Sequence, residues 1–445
     1  MAPPTNPGKT KRKPVIPRGT TPFGRIVEHV SWLASGKGVA AVLSLIYLAI
    51  ATRTLGPADF GRFILITGAA TAISQIVAFN VWQVIVKHGQ AYILPRDPAG
   101  MGRLVALCAL TDFGAAVAGC VVSAIVCFLF DDEMGLPGPL SMQAFAFAAV
   151  TMLTIRSTPI GILRLLAKFD AAAISETMLP LFRFIGALVV LVTQPSIPAF
   201  LLAWGAAEIA CAVSYWIYAR RAIREEFGKL DYSGFWQQRR EISGLGGFML
   251  ITNFTYTLAS LAVQMPVLFV GAMVGPVGAG FYRLGHQLGQ SFSKVANLFS
   301  RTLYSELAHV HVHHGRAELR KLFRKTSMIT VGVAAACAAL IVLAGKPILL
   351  AMSGPEYADA FPLVVLLGLA AAINLAGVGF EPLLLATDAA GSSLTFRFVT
   401  VVVLFGAMAL LLPTMGAIGA AWAVLISAVV NFLLMGAATW RKLRG

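Results

Sequence analysis

Apolar residues gather along the chain into long runs divided by short polar segments. A helix needs about 20 mostly apolar residues to cross the hydrocarbon core of a bilayer. About twelve runs meet that length, at roughly 31–52, 62–86, 104–129, 141–162, 172–193, 197–218, 245–271, 279–304, 326–344, 360–383, 394–412 and 416–439. A helix satisfies every backbone N–H and C=O within its own segment, which hydrocarbon demands. The predicted class is therefore all-α and integral to a membrane, with about 12 transmembrane helices.

Composition agrees with that pattern. The 445 residues are 58% hydrophobic and 12% charged, with a mean hydropathy of +0.78. A soluble domain is nearer 45–50% apolar and about 25% charged. This chain has too little polar surface to coat a water-facing globule of its size.

The net charge of +15 does not point to nucleic acid, because the cations fall between the apolar runs. Most lie on one side: Lys9, Lys11, Arg12, Lys13, Arg18 and Arg25, then Lys87, Arg96 and Arg103, then Arg220 to Arg240, Arg316 to Lys325, and Arg441, Lys442 and Arg444. The other side has only Arg53, Arg62, Arg283 and Lys346, all near helix ends. The basic side is the expected cytoplasmic side. The chain is thus expected to be multi-pass in the cell inner membrane, with both termini cytoplasmic. The predicted divisions are a disordered basic tail (1–30), a six-helix lobe (31–218), a cytoplasmic linker (219–244), a second six-helix lobe (245–439) and a short tail (440–445).

An internal repeat supports two lobes. "LGPADFGRF" follows the first run and "VGPVGAGFY" follows the seventh. Gly56, Pro57 and Gly61 match Gly275, Pro276 and Gly280. Pro fixes φ, and Gly permits unusual backbone angles or close approach, which suits a tight turn on the charge-poor side. Recurrence at the same place in each half implies pseudo-symmetric lobes about an axis along the membrane normal.

Candidate chemistry lies inside the runs. "FYRLGHQLGQSFSKVANLFSRTLY" carries Arg283, Gln287, Gln290, Lys294, Asn297 and Arg301 at steps of three and four, with His286 beside them. That spacing makes one polar stripe on a helix. Gly285 and Gly289 form a GxxxG pair suited to close helix packing. The preceding run has its own stripe at Asn253, Tyr256, Ser260 and Gln264. Two polar stripes on adjacent helices suit a shared aqueous cavity. Arg283 and Arg301 have snorkelling to the interfaces as their alternative, and Lys294 a structural ion pair. Lys37, Arg183, Asp112, Glu208 and Glu381 are further charges within runs, with Glu176 on the same face as Arg183. Lys37, Arg183, Lys294 and Arg301 would make the cavity cationic. Asp112, Glu208 and Glu381 are candidates for coupling transport to an ion, or counter-ions to those cations.

Other motifs carry less. The five cysteines fall in apolar runs without a CxxC pair, and "HVHVHHG" lacks partners close enough to make a metal site. No cofactor or metal is expected. "FDDEMG" places three acids on a charge-poor-side loop, as membrane glycosyltransferases with polyprenyl donors do, but no long loop or domain accompanies it. There is no GxSxG or HExxH motif, and no enzyme is predicted.

The chain resembles a known family along nearly its whole length. "ATRTLGPADFGRFILITGAATAISQIVAFN" is similar to the N-terminal signature of bacterial polysaccharide-biosynthesis membrane proteins. These are the oligosaccharide flippases of the multidrug/oligosaccharidyl-lipid/polysaccharide exporter superfamily. "VGPVGAGFYRLGHQLGQ", "LLAMSGPEYADAFPLVVLLGLAAAIN" and "LLLATDAAGSSLTFRF" resemble later parts of the family in order. The seventh run departs from it, with Gln264 and Pro266 where a charged pair often stands. The resemblance implies two lobes around a central cavity. It implies a polyprenyl-pyrophosphate-linked glycan as substrate, moved from the cytoplasmic to the outer leaflet. Membrane lipid, a polysaccharide polymerase and a chain-length regulator are the partners it implies. The alternatives are a multidrug antiporter of the same superfamily, which the cationic stripe disfavours, and a polyprenyl-linked glycosyltransferase or polymerase.

Overall fold

A computed structural model describes residues 22–129, 138–232, 245–289, 315–386 and 390–444. Among the described residues every regular element is a helix. Nine of these helices are long and apolar enough to cross a membrane. The basic tail up to residue 21, the "FDDEMG" acids, the later part of the linker and the histidine-rich segment lie outside the described residues.

The first two runs form α1 (Pro22–Val77). Its 56 residues would reach about 84 Å if straight, far beyond the ~30 Å of a hydrocarbon core. It folds back instead at Gly56, whose φ of 71° and ψ of 174° are not helical, and Pro57 begins the second arm. There follow α2 (Trp82–Ile93), α3 (Pro98–Leu129), α4 (Pro139–Leu153), α5 (Ser157–Leu165), α6 (Phe169–Val192) and α7 (Ile197–Phe227), completing the first lobe. The second lobe holds α8 (Leu245–Val274), α9 (276–289 as described), α10 (Gly315–Ser353), a 3-10 turn (Pro355–Ala360), α11 (Phe361–Ala376), α12 (Phe380–Ala386), α13 (Ala390–Met415) and α14 (Ala417–Arg444). Helix α7 continues to Phe227, so the start of the expected linker is an extension of the sixth span.

Three runs that read as unbroken are interrupted. The second ends at Val77 and resumes as α2, the fourth divides into α4 and α5, and the tenth into α11 and α12. The cause is clearest in the fourth. Ser157, Thr158 and Pro159 open α5, and Pro costs nothing in a first turn, where its missing N–H has no helical partner. The two fragments pack together. Gly161 lies against Trp82 and Ile85, Gly89 lies against Leu165, and the Arg164 guanidinium stands 4.1 Å from the Trp82 ring centroid, a cation–π contact.

The lobes meet at the charge-poor end, through the repeated turns. A Cβ built on Gly61 would stand 1.9 Å from the Pro276 carbonyl oxygen, and one on Gly280 would stand 3.3 Å from the Gly61 Cα. Backbone thus lies directly on backbone. Phe60, Phe281 and Tyr357 close over the contact, with ring centroids 6.2 Å apart for Phe60–Tyr357 and 5.7 Å for Phe281–Tyr357. The buried Tyr357 hydroxyl donates to the Thr52 carbonyl at 3.2 Å. Arg53 donates from Nε to the Met352 carbonyl at 2.9 Å and from Nη2 to the Ala351 carbonyl. These are among the last carbonyls of α10, where a cation also meets the negative end of the helix dipole. Within the second lobe, Gly285 and Gly289 bring α9 against the α11 backbone at Leu363 and Leu367.

This seam has a direct test. Gly61→Val forces the turns apart and is expected to cost about 1–3 kcal/mol, the usual scale of overpacking. Gly114→Ala, on an open helical face with nothing within 4 Å, is expected to be neutral or stabilising by up to ~1 kcal/mol. Thermal unfolding of the two detergent-solubilised variants checks both. Equal melting temperatures would mean the turns are not in contact.

Candidate functional site

Below the seam, a cavity of ≈ 70 Å³ lies between the lobes. The first lobe supplies Tyr47, Thr67, Thr71 and Thr151 with Arg183, Trp204 and Glu208, and the second supplies Gln264, Arg283 and Gln287. Trp204 organises the first-lobe wall. Its ring meets those of Tyr47, Phe63 and Phe200 edge-on at 5.1, 5.3 and 5.7 Å, and the Arg183 guanidinium lies 5.6 Å from its centroid.

Glu208, on α7, is buried. Its Oε1 accepts a hydrogen bond from Arg183 Nη2 of α6 at 2.8 Å. Its Oε2 stands 2.9 Å from Arg156 Nη2 at the start of α5. The second contact is an ion pair without hydrogen-bond geometry, since among the described residues Oε2 has no hydrogen-bond partner, and the buried Arg183 Nε has none either. Arg156 Nη1 also points to the Cys211 sulfur at 3.6 Å. One carboxylate therefore serves two guanidiniums, and low-dielectric surroundings make such pairing necessary for buried charge. The threesome retains one positive charge.

Arg156 faces a second cavity, of ≈ 160 Å³, which shares Thr151 with the first. Asp112 of α3 lines it too. That carboxylate is engaged: Oδ2 accepts from the Thr158 backbone N–H at 3.0 Å and from its hydroxyl at 2.7 Å. It acts as a cap from another helix, meeting a backbone donor that the start of α5 leaves without a helical partner.

Arg283 differs from these arginines. Among the described residues no carboxylate pairs with it. It lines the inter-lobe cavity together with Arg183 and Tyr47. The cavity's excess positive charge thus receives a contribution from each lobe.

The other candidates are placed as follows. Gln264 lines the cavity, and among the described residues its Oε1 and Asn253 Oδ1 have no hydrogen-bond partner. His286 stacks on Tyr282 at 6.2 Å. Glu381 occupies the first turn of α12, where the helix N-terminus favours a carboxylate. Lys37 and Tyr256 lie on described helices, but their side chains are outside the described residues, as are Gln290, Lys294, Asn297 and Arg301 altogether. Glu208 is the acidic residue paired with Arg183, not Glu176. Arg156 is a site residue that the sequence reading missed. Its signal was a helix start, Arg-Ser-Thr-Pro, in the middle of an apolar run.

Comparison with known proteins agrees with this architecture. The family described as polysaccharide biosynthesis protein matches residues 26–304. Inner membrane protein YghQ of Escherichia coli (strain K12) is 24% identical over 343 residues, covering 77% of this chain and 96% of that protein. Among solved structures, the inward-facing conformation of a multidrug resistance MATE family transporter of the MOP superfamily superposes with a TM-score of 0.70 at 14% identity, over 90% of this chain and 95% of that one. Lipid II flippase MurJ in an inward closed conformation gives 0.68 at 12% identity, over 92% and 88%. At such identities the two structures establish a common fold.

Asp112 separates a capping role from an ion-coupling one. Asp112→Asn keeps an acceptor for Thr158, whereas Asp112→Ala removes it and is expected to cost about 1–2 kcal/mol. The expected result is a lowered melting temperature for Ala, with near-normal stability and transport for Asn. Abolished transport in a stable Asp112→Asn variant would identify a titrating carboxylate instead.

Proposed function

Because the chain belongs to the polysaccharide biosynthesis protein family, we propose that it translocates a lipid-linked oligosaccharide, or another polysaccharide precursor, from the cytoplasmic to the outer leaflet of the inner membrane. The carrying observation is Arg283, a cation without a carboxylate partner among the described residues, inside a cavity between two lobes. An anionic headgroup is the natural partner of such a site, since phosphate pairs with guanidinium through bidentate, charge-assisted hydrogen bonds. Gln264, Gln287 and the threonine hydroxyls offer hydrogen bonds to sugar. The relative with an inner-membrane name supports the compartment, and the basic side supports cytoplasmic termini. One structure sharing the fold is a lipid II flippase, so the architecture accommodates a sugar carried on a lipid.

Alternating access follows from the two ends of the molecule. The Gly61–Pro276 seam shuts the charge-poor side, which this orientation makes the outer side. A cavity of ≈ 70 Å³ is far smaller than the roughly 300–1,000 Å³ of pockets that enclose small molecules. A glycolipid headgroup therefore enters only when the lobes part. A multidrug antiporter is the second reading. Cationic drugs need a free acidic group, and the Glu208 carboxylate is engaged by two arginines.

Deletion of the gene in its host, with wild-type or Arg283→Ala copies added back, tests the proposal. The expected result is polyprenyl-linked oligosaccharide accumulating in the lipid extract while surface polysaccharide is lost, with rescue by the wild type. Arg283→Ala is expected to retain about a tenth of transport or less, the scale of one charge-assisted contact. A truncated single-sugar intermediate would indicate a transferase. Unchanged glycolipid with altered drug sensitivity would indicate the antiporter.

A further inference from the structure

We propose that Glu208 is an internal counter-anion that the substrate's diphosphate displaces, leaving Arg156 and Arg183 as the two ends of one diphosphate subsite. This rests on the glycolipid reading above and names the headgroup chemistry of that site.

Geometry is the first support. The two guanidiniums are separated by a single carboxylate, with contacts of 2.9 Å and 2.8 Å on its two oxygens. A diphosphate has two phosphoryl groups joined by one oxygen and can offer one to each guanidinium. Each phosphoryl can take a guanidinium through paired hydrogen bonds. The second support is incomplete satisfaction. Arg183 Nε is buried without an acceptor among the described residues, and the Arg156 contact lacks hydrogen-bond geometry. A carboxylate has too few oxygens, too narrowly set, to meet both arginines fully; a diphosphate does not have that shortage.

Charge points the same way. Two arginines and Glu208 sum to one excess positive charge, which a more highly charged diphosphate neutralises better. Asp112 is the opposing anion nearby, lining the Arg156 cavity, and it is held by Thr158. Position supplies the last argument. Arg156 faces one cavity and Arg183 the other, and Glu208 sits where they adjoin. The displaced carboxylate lines the cavity that contains Arg283, so it has a cation of the opposite lobe to turn toward. Substrate binding in one lobe would then create an ion pair between lobes where the described residues now have none.

Binding of inorganic pyrophosphate, and of a polyprenyl diphosphate in the same detergent, is measured calorimetrically on the purified full chain. Glu208→Gln is expected to bind both about tenfold tighter than wild type, the gain when an occupant blocking about nine-tenths of the sites is removed. Adding Arg156→Gln or Arg183→Gln to that variant is expected to abolish the gain. Equal or weaker binding by Glu208→Gln overturns the proposal, and tightening for free pyrophosphate alone overturns its assignment to a lipid headgroup. If Glu208→Gln does not fold, Glu208→Asp serves. It keeps the charge but is one methylene too short to hold both arginines, so tighter binding is expected and unchanged affinity overturns the proposal. Tightening in these variants, together with unchanged glycolipid on gene deletion, would retain the diphosphate subsite and defeat the flippase reading separately.

Discussion

A guanidinium within a bilayer must have an anion, an aromatic face or water beside it, and the first lobe is built to supply the first two at one point. Glu208 draws Arg156 from the start of α5 and Arg183 from α6 onto α7. The Trp204 ring, one turn away on the same helix, takes the other side of Arg183. Removing the carboxylate would leave two like charges buried together, which is why helix positions around it depend on this contact. The break between α4 and α5 belongs to the same arrangement. It delivers Arg156 into the interior, and Asp112 from α3 satisfies the helix start it creates.

The second lobe answers with a different chemistry. Its contribution to the cavity is Arg283 and two glutamines, and its contact with the first lobe at the charge-poor end is mostly backbone. The charged groups of the cavity thus lie below a seam whose polar contacts are the hydrogen bonds of Arg53 and Tyr357. The repeated turns place Gly280 against Gly61, and Gly61 against Pro276.

Much of the fold was legible in the sequence because hydrocarbon permits few solutions. Long apolar runs became helices, and the Gly-Pro turns stand where the runs reverse. The interruptions were less legible, since "TMLTIRSTPIGILRLL" satisfies a hydropathy window that ignores Pro159 and the hydroxyls before it. Hydropathy hid Arg156 for the same reason. The sequence reading offers Glu208 as one of three possible counter-ions, but which acid meets Arg183 is set by how α6 lies on α7, and no spacing within either helix encodes it. Arg283 could be noticed as a charge in a run, but whether it snorkelled or faced inward depended on the neighbouring helices.

Backbone lies on backbone at Gly61 and Pro276, while Phe60, Phe281 and Tyr357 beside them belong to one apolar core shared by both lobes. The resistance of the Gly61–Pro276 contact to peeling therefore resides mainly in what borders it. Around it stand three hydrogen bonds, two from Arg53 and one from Tyr357, and the aromatic lid of Phe60 and Phe281. Parting the turns therefore uncovers apolar side chains as well as breaking three hydrogen bonds. The ease of opening is thereby set by residues that do not line the cavity beneath, and can change without altering it.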